Sequence, residues 1–321
     1  MRFIDSQAID RALAYPRLVD ILADAFRMGV IAPPRHHHQI GLAGRPEATL
    51  LLMPAWTASA PGANTAGRYL GVKSVSVFPD NGARGLPAVT GVYMLMSAET
   101  GAVLAVLDAT RLTVWRTAAA SALAARHLAR PDASRMVMVG AGALAPFLIR
   151  AHASVRPLRE VAIWNRTQAS AERMAEALQG QPFSVRATTD LEGAIRAADI
   201  VSTATLASEP LVRGAWLAPG CHLDCVGAFR PAMRETDDDA ITRARVYVDT
   251  RAGALAEAGD ILQPIAAGVI GREHVLGELA DLVVGTVAGR QTRDDITLFK
   301  SVGASLEDLA AAIEVYERTG A

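Results

Sequence analysis

Met136-Val137-Met138-Val139-Gly140-Ala141-Gly142-Ala143-Leu144-Ala145 is the stretch whose residue types and spacing point most directly to chemistry. Four apolar residues suit a strand buried on both faces, and two glycines then allow a tight turn with close backbone approach. The apolar run onward through Ile149 can open a helix whose free N–H groups would face a pyrophosphate. The spelling Gly-x-Gly-x-x-Ala is an accepted variant of the dinucleotide fingerprint, which makes Gly140, Ala141, Gly142, Ala143 and Leu144 candidate cofactor contacts. A purely structural strand–turn–helix corner needs glycines too. The next turn favours the cofactor. Val161–Trp164 reads as a second strand, one βαβ unit further on, and it ends in Asn165-Arg166-Thr167. A carboxylate there would accept from the free ribose hydroxyl of NAD, whereas Asn165 and Arg166 offer neutral and cationic donors that suit the 2′-phosphate of NADP. The structural alternative is a solvated Asn-Arg turn with Thr167 capping the helix that follows.

Other candidates lie outside this unit. Lys73 interrupts the apolar and small-residue strand Tyr69–Val77, either as an exposed edge lysine or as a functional cation. Arg116 stands near the start of an alanine-rich helix predicted over Thr110–Ala129, beside Thr117 and among small residues that allow close approach to a carboxylate or phosphate. His36-His37-His38 follows Arg35, but adjacent residues alternate faces in a strand and cannot all reach one metal ion, so no metal site is expected. Cys221 and Cys225 fall in one predicted strand and read as reduced, buried thiols.

These residues need a scaffold, and 321 residues suffice for two domains. With 51% hydrophobic and 20% charged residues and a formal net charge of −1, the chain reads as an ordinary globular protein. Nucleic acid is an unlikely class of partner, because no basic stripe with interleaved aromatics is present. No run is long enough to span a bilayer and Met1–Asp5 has no signal-peptide character, so a cytoplasmic protein without a membrane partner is expected. Residues 1 to about 30 read as a short strand and one amphipathic helix carrying Leu18, Ile21, Leu22, Ala25 and Phe26. Gly- and Pro-punctuated strands from Thr49 to Val106 suggest an antiparallel sheet. Strands near Ser184–Ala187, Ile200–Thr203, Cys221–Val226 and Val246–Asp249 alternate with helices, as in a doubly wound parallel sheet. The fold class is therefore α/β, a Rossmann-type sheet plus a second α+β domain. Carboxyl strand ends at Thr203, Val226-Gly227 and Phe229 should line the cofactor crevice. Asp295–Gly303 leads into a helix from about Ser305 to Glu317, where Ser305 and Asp308 resemble a capping box. That helix is expected to return to the first domain, giving a discontinuous substrate and dimerisation domain (1–130 with 300–321) around a cofactor domain (131–299).

The words Gly71-Val72-Lys73, Arg116-Thr117-Ala118-Ala119, Val139-Gly140-Ala141-Gly142, Val226-Gly227-Ala228 and Ile296–Gly303 occur in this order. Together they resemble the ornithine cyclodeaminase/μ-crystallin family over nearly the full chain. The resemblance implies a homodimer whose substrate domains pair their sheets, each with a Rossmann domain outside. It implies that Lys73, Arg116 and Arg35 surround the substrate, with the arginines on its carboxylate, and that Thr117 and Ser301 join the cofactor contacts. Two departures matter. The cyclodeaminases' aspartate in the Val-Gly-Gly-Asp word is replaced by Phe229, and the glutamate before their Leu-Met-Pro word by Leu51. Phe and Leu can neither accept a proton nor pair with an ammonium, so ornithine cyclisation is not expected. Val226–Glu235 with Asn165-Arg166-Thr167 looks most like the family's ketimine reductases, which reduce Δ1-pyrroline-2-carboxylate and Δ1-piperideine-2-carboxylate with NADPH, NADH being possible. Leu144 and Ala88 depart from residues common in the family, a glutamine and a Ser or Thr. Alternative readings are an open-chain imine reductase akin to alanine dehydrogenase and a μ-crystallin-like carrier of NADPH and ligand.

Overall fold

The computed structural model describes residues 1–57 and 69–320. Two compact units emerge, one of residues 1–117 with 304–321 and one of residues 118–303.

In the first unit, strands β1 (Arg2–Ile4), β2 (His36–Ile40), β3 (Ala48–Trp56), β4 (Tyr69–Val77), β5 (Val89–Ser97) and β6 (Val103–Asp108) form one sheet in the order β1-β6-β5-β4-β3-β2. β2 through β6 run antiparallel in sequence order, and β1 joins β6 in parallel. β4 is thus central rather than an edge, which removes the exposed-edge reading of Lys73. The N-terminal segment forms two helices where the sequence suggested one, α1 (Ser6–Ala12) and α2 (Tyr15–Met28). Pro16 explains the break, since it has no N–H to donate back into α1 and its ring would clash with the carbonyl four residues earlier. α2 buries Leu18, Val19, Leu22, Ala25 and Phe26 and stops at Gly29, whose φ of 71° suits a left-handed cap. The C-terminal helix, Ser305–Arg318, packs against α2 and the faces of β3, β4 and β5.

A long helix, α3 (Ala109–Leu128), leaves the first unit and enters the second. There, among the described residues, eight parallel strands follow: β7 (Arg135–Val139), β8 (Glu160–Trp164), β9 (Ser184–Ala187), β10 (Ile200–Thr203), β11 (His222–Cys225), β12 (Arg245–Val248), β13 (Val275–Glu278) and β14 (Thr297–Lys300). Their order is β9-β8-β7-β10-β11-β14-β12-β13, so the winding reverses between β7 and β10. In open parallel sheets that reversal opens a crevice beyond the carboxyl ends of the strands. Val137, Val139, Val201, Leu223, Val246 and Leu298 fill the core between sheet and helices. Two strands were not anticipated. β13 is a four-residue strand with too little apolar length to stand out, and β14 is fully buried between β11 and β12, where the sequence suggested only a lead into a helix.

Candidate functional site

β4 turns Lys73 into the first unit, where it is 3% exposed. Its register partners are Met53 on β3 and Tyr93 on β5. Lys73 Nζ lies 2.8 Å from Asp308 Oδ2 and donates to Thr113 Oγ1 at 3.4 Å. Arg116 on α3 points at the same helix terminus. Its Nε donates to Asp308 Oδ1 at 2.9 Å and its Nη1 to Glu307 Oε2 at 2.7 Å. Asp308 thereby joins two buried cations through its two oxygens, and Glu307 holds the second by another atom.

This arrangement revises two expectations. The C-terminal helix is capped by the backbone of Ala304 with no side-chain bond, so Ser305 is not its cap, and Asp308 serves the cluster rather than a capping box. Arg116 does not offer an entire free fork. Only its Nη2 has no hydrogen-bond partner among the described residues, while Nε and Nη1 are engaged.

Electrostatics follow from this packing. Burial, assisted by the positive charges of Arg116 and Arg35, lowers the Lys73 pKa to about 8, against the opposing pull of Asp308. Burial would also lower the Arg116 pKa, but Asp308 and Glu307 more than offset it and hold it above the ordinary arginine value. The effect on Lys73 places Arg35 within electrostatic reach of the pair. Lys73 and Arg116, two of the three cations suggested by the sequence, therefore meet in one cluster. Sequence reasoning missed its two carboxylates and Tyr93. Tyr93 is fully buried, its hydroxyl has no hydrogen-bond partner among the described residues, and burial raises its pKa well above the usual phenol range. Gly71 makes room for it, since a Cβ there would collide with the phenol oxygen. The signal that could have revealed the carboxylates was the pair Glu307-Asp308 embedded in an otherwise apolar helix start. Leu51 is half-buried on β3, and Phe229 in the other unit is 39% exposed with the Arg230 guanidinium 5.9 Å from its ring centre.

In the second unit the loop after β7 has the features a dinucleotide requires. Gly140 adopts φ 110°, its N–H donates to Trp164 O at 2.8 Å, and a Cβ there would come within 2.7 Å of Ala204 O. Glycine is needed here on both counts. A Cβ on Gly142 would meet no atom within 4 Å, so open ground lies over the loop. The N–H groups of Gly142, Ala143 and Leu144 donate to no group among the described residues, and they precede the helix Ala145–Val155. Three free donors at a helix N-terminus fit a pyrophosphate.

Asn165 behaves differently from expectation. Its Oδ1 accepts from Ala141 N–H at 3.2 Å and its Nδ2 donates to Thr167 O at 3.0 Å, so it straps the two loops together. Arg166 is exposed and has no hydrogen bond or ion pair among the described residues, which leaves its guanidinium available. Thr167 precedes the helix Gln168–Ala177 without a side-chain capping bond. Thr203, expected to face the cofactor, gives its hydroxyl to Glu235 Oε2 at 2.7 Å. Ser301 is buried and its hydroxyl has no partner among the described residues. Thr117 is buried on α3 next to Arg116. Val226 and Gly227 donate their N–H groups to Thr203 O, which fixes the start of the Val226–Phe229 loop. Cys221 and Cys225 are both buried and free, and burial pushes the Cys221 thiol up to about 12. His36 and His38 share one face of β2 with rings 6.3 Å apart, and no group of three metal-ligating side chains occurs among the described residues.

Known proteins share both fold and sequence with this chain. Delta(1)-pyrroline-2-carboxylate reductase of Paracoccus denitrificans is 39% identical over 90% of this chain and 89% of its own. The structure of Thermococcus litoralis Delta(1)-pyrroline-2-carboxylate reductase in complex with NADH and L-proline superposes with a TM-score of 0.91. It is 30% identical and covers 99% of this chain and 97% of that one. An archaeal alanine dehydrogenase dimer with bound NAD is 29% identical, with a TM-score of 0.89 over 99% of this chain and 96% of that one. Residues 27–321 match the pattern of one family, and on that match the chain belongs to the ornithine cyclodeaminase/mu-crystallin family.

Proposed function

We propose that this protein is a nicotinamide-dependent oxidoreductase that reduces a cyclic ketimine carboxylate, Δ1-pyrroline-2-carboxylate or Δ1-piperideine-2-carboxylate, to proline or pipecolate. The observation that carries this reading is the buried Lys73–Asp308–Arg116 cluster. Arg116 keeps one nitrogen of its guanidinium unengaged beside the Lys73 ammonium, which suits one substrate carboxylate. The free Nη2 of Arg116 and the guanidinium of Arg35 would hold that carboxylate. Lys73, with a pKa near 8, is largely an ammonium at neutral pH and is suited to give its proton to the imine nitrogen. The dinucleotide, when bound, supplies the hydride for the imine carbon. Gly142, Ala143 and Leu144 would hold its pyrophosphate. Leu51 would give an apolar wall in the first unit for a ring with no second amine, since an unpaired ammonium buried there costs several kcal/mol.

The same reading assigns substrate binding to the first unit and cofactor binding to the second, with Ser301 as a further cofactor contact. It assigns the first unit the pairing surface of a homodimer, as the relatedness to a dimeric alanine dehydrogenase supports. The free guanidinium of Arg166 supports a preference for NADPH, with NADH also accepted.

The decisive experiment follows oxidation of NADH and NADPH with each ring size of imine, and separately with pyruvate plus ammonia. Imine-dependent oxidation with formation of proline or pipecolate is expected. Faster turnover of pyruvate plus ammonia would move the reading to an open-chain imine, and cofactor binding without turnover of any substrate would move it to a ligand carrier.

A further inference from the structure

A second buried charge cluster lies in the unit that holds the dinucleotide loop, and the mechanism above does not use it. Glu235 is fully buried, in the segment after the Val226–Phe229 loop. Its Oε2 accepts from Thr203 Oγ1 at 2.7 Å, and its Oε1 accepts from both the N–H and the hydroxyl of Thr205, each at 2.7 Å. Three donors converge on one carboxyl group, which suits its ionised, acceptor-only form. Gly227 passes directly over it, where a Cβ would collide with Glu235 Oε1 and Thr205 O. The other side of Gly227 is held by Lys300, whose Nζ donates to Gly227 O and lies 3.2 Å from Asp260 Oδ2. Asp260 Oδ1 accepts from the N–H groups of Glu235 and Thr236 and from the Thr236 hydroxyl. One buried network therefore stitches together the chain beyond the ends of β10, β11 and β14, where an open parallel sheet binds its ligand.

We propose that Glu235 is a positioning residue for the dinucleotide, and that its ionised carboxylate braces the Thr203–Thr205 and Val226–Phe229 segments in their binding conformation. The proposal rests on the reading of the second unit as a nicotinamide-dinucleotide domain. Protonation would turn one acceptor oxygen into a donor and release part of the brace, so affinity should fall as Glu235 takes up a proton. Burial raises its pKa to about 7, with Lys300 opposing, so the change falls in an accessible range. The charged and titratable groups facing it are Lys300 on β14, Asp260 on the helix Gly259–Ala266 and Cys225 on β11. Lys300 is held as an ammonium by a raised pKa, and Cys225 is held as a thiol by burial.

NADH is the probe, because it has no 2′-phosphate to titrate near neutrality. Its dissociation constant is measured by fluorescence from pH 6 to 8.5 on the full chain. The native protein should bind NADH more tightly at the upper end, with a midpoint near 7. Glu235→Gln keeps the shape and removes the charge. It should bind about tenfold more weakly at pH 8 and lose the pH dependence, the scale expected for a lost hydrogen bond to a charged group. Thr205→Val is the second variant and guards against misfolding of the first. It removes a donor that lowers the Glu235 pKa, so its midpoint should move to higher pH. Native affinity and slope in Glu235→Gln, or an unmoved midpoint in Thr205→Val, would overturn the proposal while leaving the dinucleotide reading intact. No NADH binding by the native protein at any pH would instead overturn that underlying reading.

Discussion

Lys73 and Asp308 form a buried ion pair, and the proposed proton transfer from Lys73 makes a sharp prediction about pH. A proton donor works while it is protonated, so kcat/KM for imine reduction should be full below the Lys73 pKa and fall as pH rises through about 8. Asp308 raises that pKa, so Asp308→Asn should shift the falling limb to lower pH as well as reduce the rate. A limb at the same pH in both proteins would remove Lys73 from the proton transfer. Arg166 gives an independent test at this scale. It is exposed and unpaired among the described residues, and under the proposed reading it would gain a partner only from a phosphorylated ribose. Arg166→Ala should raise KM for NADPH by roughly tenfold, the scale of one charge-assisted contact, and change KM for NADH little. Equal effects on both cofactors would exclude the 2′-phosphate role.

At the scale of elements, β4 and β5 are packed around a missing side chain. Gly71 leaves space for the Tyr93 hydroxyl, so Gly71→Ala should cost about 1–3 kcal/mol through overpacking. Because the phenol oxygen is the obstacle, Tyr93→Phe in the same chain should recover much of that loss in a denaturant titration. Strict additivity of the two substitutions would show that the collision is relieved elsewhere. The dinucleotide loop was legible because its signal is local: Val139, Gly140 and Gly142 stand within a few residues and each has a backbone reason. Lys73 and Arg116 could be singled out as odd residues in apolar or small-residue elements, but what binds them could not. Asp308 stands 192 positions after Arg116 and sits at a helix start, where a carboxylate ordinarily reads as a cap. Asn165 erred in the opposite sense, since a polar side chain in a turn can serve a ligand or its own backbone with the same atoms. Glu235 and Asp260 were silent because buried charge networks have no spacing rule.

For the molecule as a whole, the proposed substrate choice makes a prediction about ornithine. On the family resemblance, Phe229 and Leu51 replace carboxylates that cyclodeamination would need, and that reaction must move several protons and expel ammonia. Incubation with ornithine and NAD(P)⁺ should therefore yield no proline and ammonia under conditions where the cyclic imine is reduced readily. Comparable rates would sink the assignment. No helix among the described residues is long and apolar enough to cross a membrane.

The return of the C-terminal helix has a consequence for how the protein is made. Residues 118–303 are contiguous, so the second unit can fold as soon as it leaves the ribosome. The first unit cannot be completed then. Until Ser305–Arg318 emerges, Lys73 and Arg116 have no Asp308 or Glu307, and burying them would strand two positive charges in an apolar interior. The sheet carrying Lys73 must therefore wait, half-assembled, through the synthesis of nearly two hundred further residues. Its last helix acts as a checkpoint, and a chain truncated before residue 305 keeps all of the second unit but lacks both carboxylates of the first unit's cluster.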